Sequence, residues 1–195
     1  PPGTYMIINS KGITNKTYWE LPVCKPVDYE YLEIDSAKKA FEELFLDAVK
    51  LRLRADVPIA AYLSGGLDSS VTTSFIKSIT SDNLHTFSIG FKDKNFDESE
   101  FQNEAAHYFK TQHHAVTCGD AEIADQFQDT VYHTEAPLLR TAPVPMQILA
   151  KNVRRHHIKV VITGEGADEL LGGYNIFKEA QIRHFWAKQP DSKIR

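Results

Sequence analysis

The chain has 195 residues, of which 42% are hydrophobic and 25% charged, and its 22 basic and 26 acidic side chains give a net charge of −4. This composition is typical of a folded globular protein, and the negative balance argues against a protein that binds nucleic acid through bulk electrostatics. No apolar run approaches the roughly 20 residues that span a bilayer, so no membrane partner is predicted. Two distant cysteines, Cys24 and Cys118, cannot build a disulfide scaffold. The lack of a secretory signal pattern predicts a cytoplasmic protein.

Residues 1–34 are predicted to form an edge hairpin or a linker, because prolines interrupt short apolar and aromatic stretches. Beyond them, amphipathic helices alternate with short apolar strands. We expect helices at residues 35–56, 68–79, 97–109, 120–132, 146–153 and 175–186, and strands at residues 57–63, 84–89, 113–117 and 159–163. This alternation predicts a doubly wound α/β domain, with a mostly parallel sheet and helices on both faces.

Two smaller features of this domain lead to local predictions. Pro137, Pro143 and Pro145 are expected to shape a loop before the helix at residues 146–153. The adjacent histidines His113 and His114 lack the spacing of a helical metal site, so we expect them to be solvent-exposed or on a strand edge.

The segment at residues 64–70, Ser-Gly-Gly-Leu-Asp-Ser-Ser, follows the first predicted strand of this domain. Its two adjacent glycines let a ligand approach the backbone, and the next amides open a helix, where unpaired N–H groups attract anions. The segment therefore predicts a phosphate cradle, although the chain contains no Walker A lysine. Asp68 would repel a polyphosphate unless a cation such as Mg²⁺ lies between them. The structural alternative is a helix-capping aspartate beside a glycine turn.

A second unusual segment, residues 163–174, follows the last predicted strand. It places three carboxylates, Glu165, Asp168 and Glu169, and four glycines at a strand end, where ligands bind in open α/β sheets. Acidic residues that merely complement a helix dipole would account for one of these carboxylates, but not for the cluster. A second Mg²⁺ ligand together with a general base is the better interpretation.

These two segments carry a resemblance to a known family. Residues 64–70 resemble the pyrophosphate loop of the ATP pyrophosphatases, and residues 164–174 (GEGADELLGGY) resemble a block of the glutamine-dependent asparagine synthetases. The resemblance implies an adenine nucleotide alpha-hydrolase-like fold. It also implies a division of the chain into residues 1–34, as the end of a glutaminase domain with its linker, and residues 35–195, as an ATP-binding synthetase domain.

The resemblance also implies roles for individual residues. The positions expected to contact ATP and its pyrophosphate are Leu63, Ser64, Gly65, Gly66, Leu67, Asp68, Ser69, Ile89 and Gly164. Asp68 and Asp168 would share Mg²⁺, and Glu165 would lie near the reacting acyl centre as the acceptor of a proton from the incoming amine. The implied reaction is attack of the aspartate β-carboxylate on the α-phosphorus of ATP, followed by capture of the acyl-adenylate by ammonia.

The resemblance covers only the middle of a family member, which predicts that the chain is a fragment of a longer enzyme. Residue 1 is Pro1, where the family's glutaminase has a cysteine, so ammonia is expected to come from a glutaminase domain that is missing here. The family's catalytic lysine is expected beyond Arg195. A homodimer is a further expectation.

Two other functions remain open on the sequence alone. One is a related amide ligase that acts on another acid, of the β-lactam-forming or peptide-cyclising type, because the nucleotide loops do not select the acid. The other is a non-catalytic nucleotide-binding module, although the presence of Asp68, Glu165 and Asp168 argues against it.

Overall fold

The computed structural model describes residues 1–22, 33–80 and 83–188 of the chain. It divides into two compact units, Pro1–Glu42 and Glu43–Arg195. Cys24 and most of the predicted linker lie outside the described residues. Within the described residues, no helix is long and apolar enough to cross a membrane.

The first unit contains an antiparallel hairpin of β1 (Thr4–Asn9) and β2 (Gly12–Thr17). The chain reverses at residues 10 and 11, where the Lys11 amide donates to Asn9 Oδ1 at 2.8 Å, and Gly12 follows with a φ of +123° that favours glycine. Of the two expectations for this stretch, the hairpin is the one observed.

The long helix α1 (Ile34–Arg52) runs from the first unit into the second. The second unit then alternates strands with helices. Its remaining elements are β3 (Ile59–Tyr62), α2 (Leu67–Ile79), β4 (His85–Phe91), α3 (Ser99–Phe109), β5 (Gln112–Cys118), α4 (Asp120–Thr134), α5 (Pro143–Arg155), β6 (Val160–Ile162), α6 (Ala167–Leu171) and α7 (Asn175–Ala187).

The four strands of the second unit form a parallel sheet in the order β5-β4-β3-β6. The chain moves outward from β3 to β4 and β5, and then returns to the other side of β3 with β6. The direction of winding therefore reverses between β3 and β6. In doubly wound sheets, ligands bind at this reversal point, outside the carboxyl ends of the strands.

Each face of the sheet is covered by helices. Neighbouring residues of β3 point to opposite faces, so Ala60 belongs to one core cluster and Ala61 to the other. The first cluster contains Ala60, Phe87, Leu149, Val153 and Ile158, and the second contains Val49, Ala61, Ile76 and Leu84. Thus α5 covers one face, and α1 and α2 cover the other, each large buried side chain contributing about 1.5–3 kcal/mol. The predicted doubly wound α/β architecture is confirmed.

The prediction of a loop at Pro143 and Pro145 was wrong. Both prolines lie in the first turn of α5, which begins at Pro143. First-turn N–H groups have no intrahelical acceptor, so proline loses nothing there, and its fixed φ favours helix initiation.

The histidine pair lies on β5, an edge strand among the strands described, and both rings are half-buried. The His114 ring stacks on Phe87, contacts His156, and accepts or donates a hydrogen bond with His85 at 2.9 Å. Burial lowers the pKa of His113, and burial together with the neighbouring histidines lowers the pKa of His114. The edge position was predicted correctly, but the packed histidine cluster was not foreseen.

These lowered pKa values make the fold sensitive to acid. The unfolded chain binds a proton at these rings more readily than the folded chain does, so the free energy of unfolding is highest above histidine's ordinary pKa of about 6.5. We expect it to fall as pH decreases through that value. Urea denaturation as a function of pH would measure this, and a His114→Phe variant, which cannot be protonated there, should show a shallower dependence. A free energy of unfolding that stays constant from neutral pH to about pH 5.5 would contradict the prediction.

Candidate active site at the carboxyl edge of the sheet

The two segments singled out in the sequence meet where the winding reverses. One follows β3 and leads into α2, and the other follows β6, which pairs directly with β3. A Cβ placed on Gly164 would lie 3.1 Å from Asp68 Cβ and 3.2 Å from the amide nitrogen of Ser69. The backbone after β6 therefore packs directly on the first turn of α2, and only a glycine fits this approach without displacing its neighbours.

Two serines shape the loop between β3 and α2. The hydroxyls of Ser64 and Ser69 lie 2.9 Å apart, and the Ser64 amide donates to Ser69 Oγ at 3.2 Å. The Gly66 amide donates to Ser64 Oγ at 3.3 Å, while the Ser69 hydroxyl donates to the Gly66 carbonyl at 3.2 Å. These bonds hold the loop in a tight turn, and no side chain caps the start of α2 at Gly66. The first-turn N–H groups of α2 are thus suited to an anionic ligand.

The two adjacent glycines of this loop have different structural roles. Gly65 has a φ of +83°, and a Cβ there would lie 2.6 Å from the Phe101 carbonyl carbon and 2.7 Å from the Gln102 amide nitrogen, both in the backbone of α3. Gly66 has a φ of −73°, which any residue adopts, and a Cβ there would meet only Ser64 Oγ, at 3.4 Å. Gly65 is therefore required by the fold, whereas the fold alone does not require Gly66.

The loop after β6 holds its acidic side chains through glycines and a tyrosine. Gly166, the residue before α6, has a φ of +95°. The Asp168 carboxylate lies over Gly173, where any Cβ would overlap it, and the Gly173 amide donates to the Asp168 carbonyl at 3.0 Å. The Tyr174 hydroxyl donates to Glu169 Oε1 at 3.1 Å. This bond raises the pKa of Tyr174. The negative charges of Glu169, Asp168 and Glu165 raise it further.

Both loops open onto one cavity of about 350 Å³. The residues predicted from the sequence that line it are Leu63, Ser64, Asp68, Ser69, Ile89, Gly164, Glu165 and Asp168. Gly65, Gly66 and Leu67 do not line it, and the Leu67 side chain is exposed to solvent. Leu67 therefore has only its backbone amide to offer a ligand at this edge.

The structure adds lining residues that were not among the predicted site residues. They are chiefly apolar or aromatic and include Tyr62, Phe87, Phe91, Phe96, Met146 and Leu149, together with the polar residues Glu98, Gln102 and Tyr174. Phe87 and Ile89 are two residues apart on β4, and this spacing could have indicated that their side chains lie on the same face of the strand. Met146 comes from α5, and no local sequence pattern connects α5 to β3. One wall of the cavity is thus apolar and the other is built from polar loops, a combination suited to a ligand with a flat base and a charged tail.

The carboxylates of the cavity fit a cation that arrives with its ligand. Among the described residues, no group of three or more His, Cys, Asp or Glu side chains could hold a metal by itself. Asp68 and Asp168, both half-buried, line the same cavity. Mg²⁺ in phosphate-binding sites commonly uses one or two carboxylates and takes its other ligands from phosphate oxygens and water. The donor set therefore suits Mg²⁺ bound together with a polyphosphate.

Comparison with known proteins identifies the family of this chain. The family model described as asparagine synthase matches residues 40–194, which includes both loops. The chain belongs to the asparagine synthase family.

Three curated relatives match over most of the chain. Glutamine-hydrolyzing asparagine synthetase 1 of Bacillus subtilis is 36% identical over 91% of this chain and 27% of its own length. A putative glutamine-hydrolyzing asparagine synthetase 2 of Methanocaldococcus jannaschii is 36% identical over 94% of this chain and 35% of its own length. Amidase chyE of Penicillium rubens is 32% identical over 95% of this chain and 30% of its own length. The chain thus spans about a third of the length of these relatives.

The different roles of the two loop glycines lead to a prediction about stability. Gly65→Ala should lower the free energy of unfolding by at least about 2 kcal/mol, because it combines an unfavourable φ with a backbone clash. Gly66→Ala should change it by less than about 0.5 kcal/mol, because its φ and surroundings accept a methyl group. Chemical denaturation of the two variants beside the unmodified chain makes the comparison. Equal destabilisation by both substitutions would contradict the assignment.

Proposed function

We propose that this chain forms the nucleotide-binding part of an ATP-dependent amide ligase that converts aspartate to asparagine. Membership of the asparagine synthase family supports the reaction class. The observation that carries the proposal is the close packing of Gly164 on Asp68 and Ser69, because it brings the phosphate loop and the acidic loop into one cavity.

The loop after β3 would bind the β- and γ-phosphates of ATP. Its contributions are the hydroxyls of Ser64 and Ser69 and the first-turn N–H groups of α2, whose dipole favours negative charge. Gly66 would leave room for the phosphates, since its Cβ position faces no backbone atom of the protein. The apolar wall that includes Ile89 and Leu63 would face the adenosine.

Asp68 and Asp168 would hold Mg²⁺ with the phosphate oxygens. When bound, the ion would neutralise phosphate charge and stabilise the departing pyrophosphate. The two carboxylates themselves orient the polyphosphate, and Gly173 fixes the Asp168 side chain by allowing it to lie against the backbone.

In the proposed reaction, an oxygen of the aspartate β-carboxylate forms a bond to the α-phosphorus of ATP. The bond from that phosphorus to the bridging oxygen breaks, and the electron pair leaves with pyrophosphate. Ammonia nitrogen then attacks the acyl carbon of the aspartyl-adenylate, and AMP leaves. Glu165, exposed at the rim of the cavity, would accept the proton that the attacking nitrogen loses.

The full-length protein would supply what lies outside this chain. Ammonia would come from a glutaminase domain, a proposal that the glutamine-hydrolyzing names of two relatives support. A cytoplasmic location and a homodimer remain predictions from the sequence.

A second candidate is an amide ligase that acts on a different acid. A relative named amidase matches the same stretch at 32% identity, close to the 36% of the asparagine synthetases. The resemblance therefore supports the nucleotide site more strongly than it supports the identity of the acid.

The metal assignment predicts a selective loss of binding. Asp68→Asn and Asp168→Asn should each weaken Mg·ATP binding at least about tenfold, because each removes an anionic ligand, while the free energy of unfolding changes by less than about 1 kcal/mol. Isothermal titration calorimetry on the full chain measures the affinity. Asp47→Asn, which removes the same charge from an exposed site on α1, is the matched control and should bind normally. Normal Mg·ATP binding by either cavity variant would show that the metal assignment is wrong.

The substrate assignment is tested in the full-length protein by exchange of labelled pyrophosphate into ATP. We expect aspartate, among a panel of carboxylic acids, to stimulate exchange most strongly. Glu165→Gln should retain this exchange but slow asparagine formation by about 10²-fold or more, because only the second step needs the proton acceptor. Stimulation by another acid and not by aspartate would favour the second candidate. Loss of exchange in Glu165→Gln would place Glu165 in the first step instead.

A further inference from the structure

A series of hydrogen-bonded side chains links β5, β4 and α3 and reaches the wall of the proposed nucleotide cavity. Its members are Thr111, Thr86, His113, Ser88 and Gln102, and it ends on the backbone carbonyl of Ile89. Gln102 is only 3% exposed and Ser88 only 2%, so these polar groups depend on one another for their hydrogen bonds. The sequence gives no local signal for this series, because its members come from three separate elements and a loop.

The direction of every hydrogen bond in this series follows from the acceptor at its end, the Ile89 carbonyl. The Ile89 carbonyl can only accept, so Gln102 directs its amide nitrogen to it, at 2.9 Å. Gln102 Oε1 then accepts from the Ser88 hydroxyl at 2.7 Å. Because the Ser88 hydroxyl already donates its proton to Gln102, Ser88 Oγ accepts from Nε2–H of His113 at 3.0 Å. Nδ1 of the neutral His113 ring then accepts from the Thr86 hydroxyl at 2.9 Å. Burial, which lowers the pKa of His113, favours this neutral ring.

The carbonyl at the end of the series belongs to an unpaired part of the sheet edge. The paired register of β3 with β4 ends at Tyr62 and Phe87, and the Leu63 amide donates to the Phe87 carbonyl at 3.0 Å. Alternate residues of a parallel strand direct their backbone groups to the same neighbour, so the Ile89 peptide faces the side where β3 has already ended. The Gln102 amide replaces the missing strand as the partner of this carbonyl.

Gln102 thus connects three parts of the proposed nucleotide site. Its side chain lines the cavity beside Ser88 and Ile89, and its backbone nitrogen lies against Gly65, which turns the phosphate loop. We infer that Gln102 is a positioning residue for the base of the nucleotide, acting by fixing the orientation of the Ile89 peptide at the cavity wall. This inference rests on the proposed function, and it concerns the base because only the backbone of Gln102 contacts the phosphate loop.

The test compares two ligands that share a polyphosphate but not a base. Gln102→Met keeps the length of the side chain and removes its hydrogen bonds. We expect Mg·ATP to bind this variant about tenfold more weakly or worse, because the Ile89 peptide is no longer held in one orientation at the cavity wall. Magnesium tripolyphosphate should bind within about twofold of the unmodified chain, because the Gly65 contact is made by backbone. Calorimetric titration of the full chain gives both dissociation constants.

Thr111→Val is the matched structural control. It removes a hydrogen bond at the opposite end of the same series, so it should lower the free energy of unfolding without changing the affinity for Mg·ATP. An unchanged affinity of Gln102→Met for Mg·ATP would overturn the inference, as would equal weakening of Mg·ATP and tripolyphosphate. If the unmodified chain binds no Mg·ATP, the proposed function itself fails, and this result is distinct from the other two.

Gln102→Glu keeps the test decisive if the methionine variant does not fold. The ionised carboxylate of this variant cannot donate a hydrogen bond to the Ile89 carbonyl, but the protonated acid can. The affinity of the variant for Mg·ATP, divided by that of the unmodified chain at the same pH, should therefore rise as pH decreases from about 7 to about 5. A ratio that does not depend on pH over this range would overturn the inference.

Discussion

The packing of Gly164 on the first turn of α2 is the contact on which the site depends. It sets the distance between a loop rich in N–H and hydroxyl donors and a loop rich in carboxylates. Neither loop alone would hold a magnesium-bound polyphosphate, since donors without the carboxylates lack the cation, and carboxylates without the donors repel the phosphates. A Cβ at position 164 would lie 3.1 Å from Asp68 Cβ and 3.2 Å from the Ser69 nitrogen, so the two loops could not keep this spacing without a small displacement.

The order of strands determines why these loops are neighbours. Because β6 returns to pair with β3, the segments after the two strands lie side by side although a long stretch of chain separates them. Helices on both faces cover the sheet, so its carboxyl edge remains as the open surface where polar backbone is available. The same geometry leaves the Ile89 carbonyl without a strand partner, and the protein uses the side chain of Gln102 there.

The parts of the protein that could be predicted from the sequence are those encoded in short stretches. The period of apolar residues gave β3 and β4 within a few residues, and the glycine-rich segments identified the loops that line the cavity. Interactions between distant elements could not be predicted in this way. Gly65 was assigned to ligand approach, although its Cβ position is filled by the backbone of α3, and Gln102 had no signal at all. The start of α5 at Pro143 was missed because proline marks both loops and first helical turns.

The electrostatics of the cavity support a role for a cation independently of the family. Asp68, Glu165, Asp168 and Glu169 all line it, so four carboxylates face the same space. A free polyphosphate entering this field would be repelled, and the first turn of α2 supplies only the partial charge of a helix dipole in compensation. A divalent ion reverses the sign of this interaction, because it turns the carboxylates from repulsive groups into ligands. Under the proposed function, these acidic residues would therefore favour metal-bound phosphates over free ones.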